Sequence, residues 1–112
     1  MKVSNSKIII NSDETEIIKL IKSPNNLEKF HPFCKKNKVE VWNKEKSIDF
    51  VEYHNNKIYK RKFIDWGDNG YNLDIYEKRK LANISWNVVK ISNNKSSLII
   101  TAVPHLPFKY KI

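Results

Sequence analysis

Apolar residues along this chain fall into two regimes. One has helical spacing and is confined to residues 12–31; the other alternates strictly and runs from residue 35 to the end. Ahead of both, KVSNSKIII at residues 2–10 is rich in β-branched side chains and suits an opening strand. In NSDETEIIKLIKS, Ser12 or Asp13 stands where a helix cap is wanted, and acidic residues follow in the first turn. Ile17, Ile18, Leu20 and Ile21 then recur at helical spacing. Pro24 stops that helix. SPNNLEKFHPF starts a second one, with Leu27, Phe30 and His31 sharing a face at i, i+3, i+4, until Pro32 drives His31 out of helical backbone.

The alternating region divides into NKVEVW, SIDFVEYH, KIYKRKFIDW, GYNLDIYEKR, ANISWNVVKI and SSLIITAV. The polar breaks between them are NKEK, NN, GDNG, KRKL and SNNKS. Breaks this short join neighbouring antiparallel strands, because a parallel crossover needs a dozen or more residues. WGDNGYN reads as a turn in which Gly67 and Gly70 are expected to supply positive φ, and it has neither the spacing nor the following helix of a phosphate loop. The expected architecture is α+β: a curved seven-stranded antiparallel sheet, with two short helices between strands 1 and 2 gathered on one side. Period-2 alternation then assigns faces. Tyr59, Arg61 and Phe63 should look inward against Ile58, Lys60 and Lys62. Tyr71, Leu73 and Ile75 should oppose Asn72 and Asp74, and Ile84, Trp86 and Val88 should oppose Ser85 and Asn87.

Composition narrows the classes. With 112 residues, 40% hydrophobic and 12% aromatic, residues 1–112 make one domain with one core. No run of about 18 apolar residues occurs, and the N-terminus turns acidic after three isoleucines, so a cytoplasmic protein without a membrane span is expected. Cys34 is the single cysteine, which excludes an internal disulfide. The formal charge is +9, yet 19 of the 21 basic residues are lysine. Guanidinium rather than ammonium suits bidentate phosphate and base contacts, so lysine-rich solvation is the expected reading, and nucleic acid is not the expected partner.

The stretch from SPNNLEKFHPF through VEVW, DFVEYHNNKIYKRKFIDWGDNGYNLDI and ISWNVV to SLIITAVPH resembles the SRPBCC superfamily, the START and pollen-allergen group. Within it the chain is most similar to polyketide cyclase/dehydrase-type members. The likeness covers residues 2 to about 105 and rests on the helix-helix-meander order, FHPF, YxRxF, WGxxGY and the tryptophan of the sixth strand. It implies a helix-grip fold, a sheet wrapped around a long C-terminal helix, with a hydrophobic ligand held between them. After Pro104 only HLPFKYKI remains, which departs from that pattern. The C-terminal helix is therefore expected to be absent or truncated, and a second copy, in a homo-oligomer, is an expected cover for the concave face.

Tyr59, Phe63, Tyr71, Leu73 and Trp86, with Trp66, are candidates for the wall of such a site; equally they fill a core. Arg61 stands between two inward aromatics and needs a partner if buried. A two-residue Asn55–Asn56 turn puts Glu52 diagonal to it, whereas a three-residue loop puts Asp49 in that diagonal place, turns Val51 and Tyr53 inward and sets Glu52 against Lys60. The second arrangement buries more apolar surface and is favoured. Arg61 is then either an anchor for a ligand oxygen or half of an ion pair. His31, flanked by Phe30 and Phe33, is expected at the rim of the groove. No carboxylate at helical spacing orients it as a catalytic base, and with Cys34 it makes only two metal ligands, His54 and His105 being on distant strands. No cofactor and no metal are expected. The functional expectation is binding of a small hydrophobic or amphipathic, lipid- or polyketide-like molecule. A cyclase/dehydratase-type enzyme and a basic nucleic-acid- or protein-interaction module are the alternatives.

Overall fold

The computed structural model describes residues 3–30 and 34–105. Its strands are β1 (Ser4–Ile10), β2 (Cys34–Val41), β3 (Ile48–Tyr53), β4 (Ile58–Gly67), β5 (Gly70–Glu77), β6 (Arg79–Ser92) and β7 (Lys95–Pro104). They form one sheet in the order β1-β7-β6-β5-β4-β3-β2, every neighbouring pair antiparallel. Strands β2 to β7 are a meander, and β1 returns to pair with β7. Helices α1 (Glu14–Ile21) and α2 (Leu27–Phe30) lie between β1 and β2. This is the α+β arrangement expected from the alternation, and it has the strand and helix order of the helix-grip fold that the resemblance implies.

Each helix boundary has a local cause. The Asp13 carboxylate accepts from the Glu16 amide at 2.9 Å, and Glu14 and Glu16 complement the positive end of α1. Its buried stripe is Ile17 and Ile21. The carbonyls left over at its C-terminal end are satisfied by side chains from the sheet and the loop. The Tyr71 hydroxyl donates to Ile21 O at 3.1 Å, the Trp42 indole to Lys22 O at 3.0 Å, and the Asn26 amide to Leu20 O and Ile21 O. Lys22 reaches across to the carbonyls of Gly67 and Asp68 and lies 5.6 Å from the Trp66 ring centroid. Helix α1 is thereby tied to the end of the sheet where β4 turns into β5.

Three local expectations need correction. Neither Gly67 nor Gly70 has positive φ. Gly70 is required for a different reason: a Cβ there would lie 1.7 Å from the Trp86 carbonyl oxygen, so the β5–β6 contact closes only over a glycine. KRKL is not a turn, because β5 ends at Glu77 and β6 starts at Arg79 with Lys78 alone, at φ 67°, between them. Strand β2 starts at Cys34 and ends before Trp42, and its pairing with β3 is irregular between Cys34 and Lys36 and again between Val39 and Val41.

The faces fall as the alternation requires. Arg61, Phe63, Tyr71, Leu73, Ile75, Trp86 and Val88 are buried on the helix side, while Lys62 is exposed on the other. The core lies between that side of the sheet and the two helices, centred on Ile17, Ile21, Leu27, Val51, Phe63, Leu73, Val88 and Leu98.

Candidate functional site

Strands β3 and β4 reverse across residues 54–56, where the Tyr53 amide donates to Lys57 O at 2.9 Å and Asn56 takes φ 66°. That three-residue reversal sets Asp49 directly opposite Arg61, rather than diagonal to it, and Val51 opposite Tyr59. The two charges meet as a fork: Arg61 Nε donates to Asp49 Oδ1 at 2.8 Å and Arg61 Nη2 to Oδ2 at 2.6 Å. Both are enclosed, Asp49 at 0% and Arg61 at 4% exposure. Glu52 is no competitor: it points to the outer face and pairs with Lys35 at 3.8 Å, not with Lys60.

The pair is the middle of a longer polar chain. On one side the Asn37 amide donates to Asp49 Oδ2 at 2.9 Å and to Phe50 O at 3.1 Å. On the other, Tyr71 lies against Arg61 and reaches the end of α1 through Ile21 O. Burial opposes the charge on Arg61, but the bonds and the charge of Asp49 outweigh it and hold the guanidinium above its ordinary range. Burial pushes the Tyr71 phenol up, and the facing Arg61 offsets part of that. Tyr53 is raised for the same reason, burial first and Arg61 opposing. Burial and then the nearby Glu28 also raise the Cys34 thiol, which leaves it a buried, unreactive side chain.

The helix-facing surface has two parts. Around the β4–β5 turn, Trp42, Phe63, Trp66, Tyr71 and Trp86 pack ring on ring at centroid distances of 4.8–5.8 Å. This part lies under α1. Ile84 and Ile100, directly opposite Leu73 and Trp86 on the side nearer β1, are only half-buried, as are Tyr53, Tyr59 and Ala82 towards the other end of the strands. Tyr53 and Tyr59 are neighbours there, with ring centroids 5.2 Å apart. Arg61 and Asp49 mark the boundary between the parts.

Of the residues singled out in the sequence, Phe63, Tyr71, Leu73 and Trp86 are inward and lie in the closed part, and Tyr59 lines the open part. Asp49 and Arg61 are brought together. His31 and Phe33 lie outside the described residues. Asn37, Tyr53 and Trp42 were not singled out as site residues, yet each belongs to the assembly. A lone asparagine on the inward phase of β2, the same anomaly that marks Arg61 on β4, was the available sign for Asn37. Among the described residues no group of three His, Cys, Asp or Glu is placed to hold a metal ion.

No protein-family model matches this chain, and no curated protein does. Solved structures do match. The aromatase/cyclase Zhui from Streptomyces sp. R1128 superposes with a TM-score of 0.78 at 6% identity, over 99% of this chain and 73% of that one. Norcoclaurine synthase from Thalictrum flavum, in complex with dopamine and hydroxybenzaldehyde, gives 0.76 at 12% identity, over 97% and 72%. A START superfamily protein from Mycobacterium smegmatis gives 0.73 at 10% identity, over 94% and 79%. At these identities what is shared is the course of the backbone.

Proposed function

We propose that this chain, which has the helix-grip fold of the SRPBCC superfamily, binds a small hydrophobic or amphipathic molecule in the open part of the sheet's concave face. The observation that carries the reading is the unequal cover of one continuous surface. Aromatic and aliphatic side chains are sealed around the β4–β5 turn, and side chains of the same kind, Tyr59, Ala82, Ile84 and Ile100, are left half-buried beside them. Sites for small molecules are concave and mostly apolar, with a few placed polar groups. Phe63, Tyr71, Leu73 and Trp86 form the floor behind the site. The solved structures of the same fold include a norcoclaurine synthase in complex with dopamine and hydroxybenzaldehyde and an aromatase/cyclase, which supports a small ligand of mixed apolar and polar character.

The charge at the boundary sets a preference. Arg61 spends its Nε and Nη2 donors on Asp49, and the pair is neutral as a unit. An acidic ligand would have to displace a carboxylate held at two points inside the protein. A neutral alcohol, ketone or phenol needs no such exchange, so it is favoured over a fatty-acid anion. The experiment compares a ten-carbon alcohol with the corresponding carboxylate by isothermal titration, on the parent chain and on Ala82→Trp, which fills the open part without removing any core atom. The alcohol should bind the parent more tightly than the acid, and Ala82→Trp should abolish both. Equal binding to parent and variant would remove the site from this face.

The second reading is an enzyme of the cyclase or dehydratase kind. It is favoured by two phenols, Tyr53 and Tyr59, standing beside a buried guanidinium. Turnover of a poly-β-keto substrate that is lost in Tyr59→Phe would establish it.

A further inference from the structure

The outer face of the sheet carries a pattern that no composition reveals. The register aligns Lys38 with Phe50, Phe50 with Lys60, Lys60 with Tyr76 and Tyr76 with Lys80, a single row across five strands in which ammonium groups and rings alternate. At the usual strand spacing the row is about 19 Å long. Lys36, Lys62 and Lys78 flank it. Two shallow grooves of about 480 and 270 Å³ run along it and share Phe50 and Ile58 in their lining.

The acids nearby are largely engaged. Glu52 is paired with Lys35 at 3.8 Å and Asp74 with Lys80 at 3.2 Å, while Glu77 lines the larger groove. Lys36, Lys38, Lys60, Lys62 and Lys78 take part in no ion pair among the described residues. Phe50 and Tyr76 are half-buried between them, so ring surface stays open to solvent on a face where β-strands ordinarily present polar groups.

We propose that this face binds single-stranded nucleic acid, with the bases stacking on Phe50 and Tyr76 and the phosphates lying on the five unpaired lysines. Lysine content alone carried no such reading, because ammonium groups scattered over a surface merely solvate it; what is new is their alternation with rings at strand spacing. Aromatic platforms inside a basic groove are the physical means by which single strands are held without sequence preference. A duplex fits less well, since a broad sheet face does not enter a major groove about 12 Å wide. A bilayer also fits less well: membrane-surface binding buries apolar side chains about 5–10 Å deep, and Phe50 and Tyr76 are already half-buried in the sheet face.

The test is fluorescence anisotropy with labelled ten-nucleotide oligo(U) and oligo(dT), run against heparin and against vesicles containing phosphatidylserine. The parent should bind the oligonucleotides at low salt, with log K falling against log salt at a slope of about −3.5, the value for five phosphates on a single strand. Phe50→Leu and Tyr76→Leu keep the apolar bulk and remove the stacking surface, and each should weaken binding about tenfold while leaving heparin binding unchanged. Lys60→Glu with Lys62→Glu alters exposed or half-exposed positions on β4 and should lower the slope towards −2, with an unchanged circular dichroism spectrum. Absence of oligonucleotide binding at low salt overturns the proposal. So does vesicle binding without oligonucleotide binding, or oligonucleotide affinity that both leucine variants retain in full.

Discussion

The two parts of the concave face are made from the same materials and finished differently. At the β4–β5 end, Leu73 and Val88 are 0% and 1% exposed, five aromatic rings interlock, and three side chains from outside α1 close its last carbonyls. Tyr59, further along β4, and Ile84 and Ile100, directly opposite Leu73 and Trp86, face the same way and remain half-buried. Side-chain type does not distinguish a core from a binding surface; what covers it does. The difference also explains where the buried charge sits. Arg61 and Asp49 lie at the boundary, where the enclosure is complete enough to require pairing, and the pairing leaves the open end without net charge.

The sharpest way to break the comparison is to remove one charge. Arg61→Ala strands Asp49 in a site with no solvent, and a loss of about 3–5 kcal/mol is expected in urea denaturation. Replacing both, Arg61→Met with Asp49→Leu, should recover most of that loss, because no uncompensated ion remains. A double variant as unstable as the single one would show that the pair does more than neutralise itself.

Truncations in the two parts should then differ in size. Leu73→Ala, in the closed end, is expected to cost about 2–5 kcal/mol. Ile84→Ala, directly opposite Leu73 on the neighbouring strand but only half-buried, should cost about 1 kcal/mol, since water already reaches it. Equal losses would mean that the open end is packed as tightly as the closed one.

The smallest effect is at the join between sheet and helix. Tyr71→Phe deletes the bond to Ile21 O and should cost about 1 kcal/mol at neutral pH. The buried phenol has its pKa raised above the ordinary 10.0, so the folded protein favours the protonated form. Its contribution is whole below pH 10 and is lost as pH rises beyond it, because the unfolded chain releases the proton first. Thermal unfolding measured from pH 8 to 11 should therefore fall less steeply for Tyr71→Phe than for the parent. Cys34 and Tyr53, raised in the same direction, contribute to the slope that remains.

Much of this was legible in the amino-acid order. Alternation fixes which residues share a face, so the inward set from Tyr59 to Val88 follows from period alone. Asp49 as the partner of Arg61 also follows, because a one-residue slip of the β3–β4 hairpin would have put Val51 and Tyr53 in water. Contacts between strands distant from any turn carry no such signature. Gly70 looks like a turn residue and is instead a contact residue, a fact held in the position of the Trp86 carbonyl. Asn37 and Trp42 were missed because their partners, Asp49 and Lys22, are set by the closing of β2 and α1 onto the sheet. The Lys–aromatic row of the outer face is invisible in any single strand for the same reason: one residue comes from each of five.

The central claim is that an apolar ligand occupies the open end of the concave face, and isoleucine methyl chemical shifts report it most directly. On titration with a ten-carbon alcohol, the methyls of Ile84 and Ile100 should move and saturate together, while those of Ile9, Ile64 and Ile91, exposed on the chain, stay where they were. Shifts confined to the exposed isoleucines, or an unchanged spectrum at millimolar alcohol, would contradict the account.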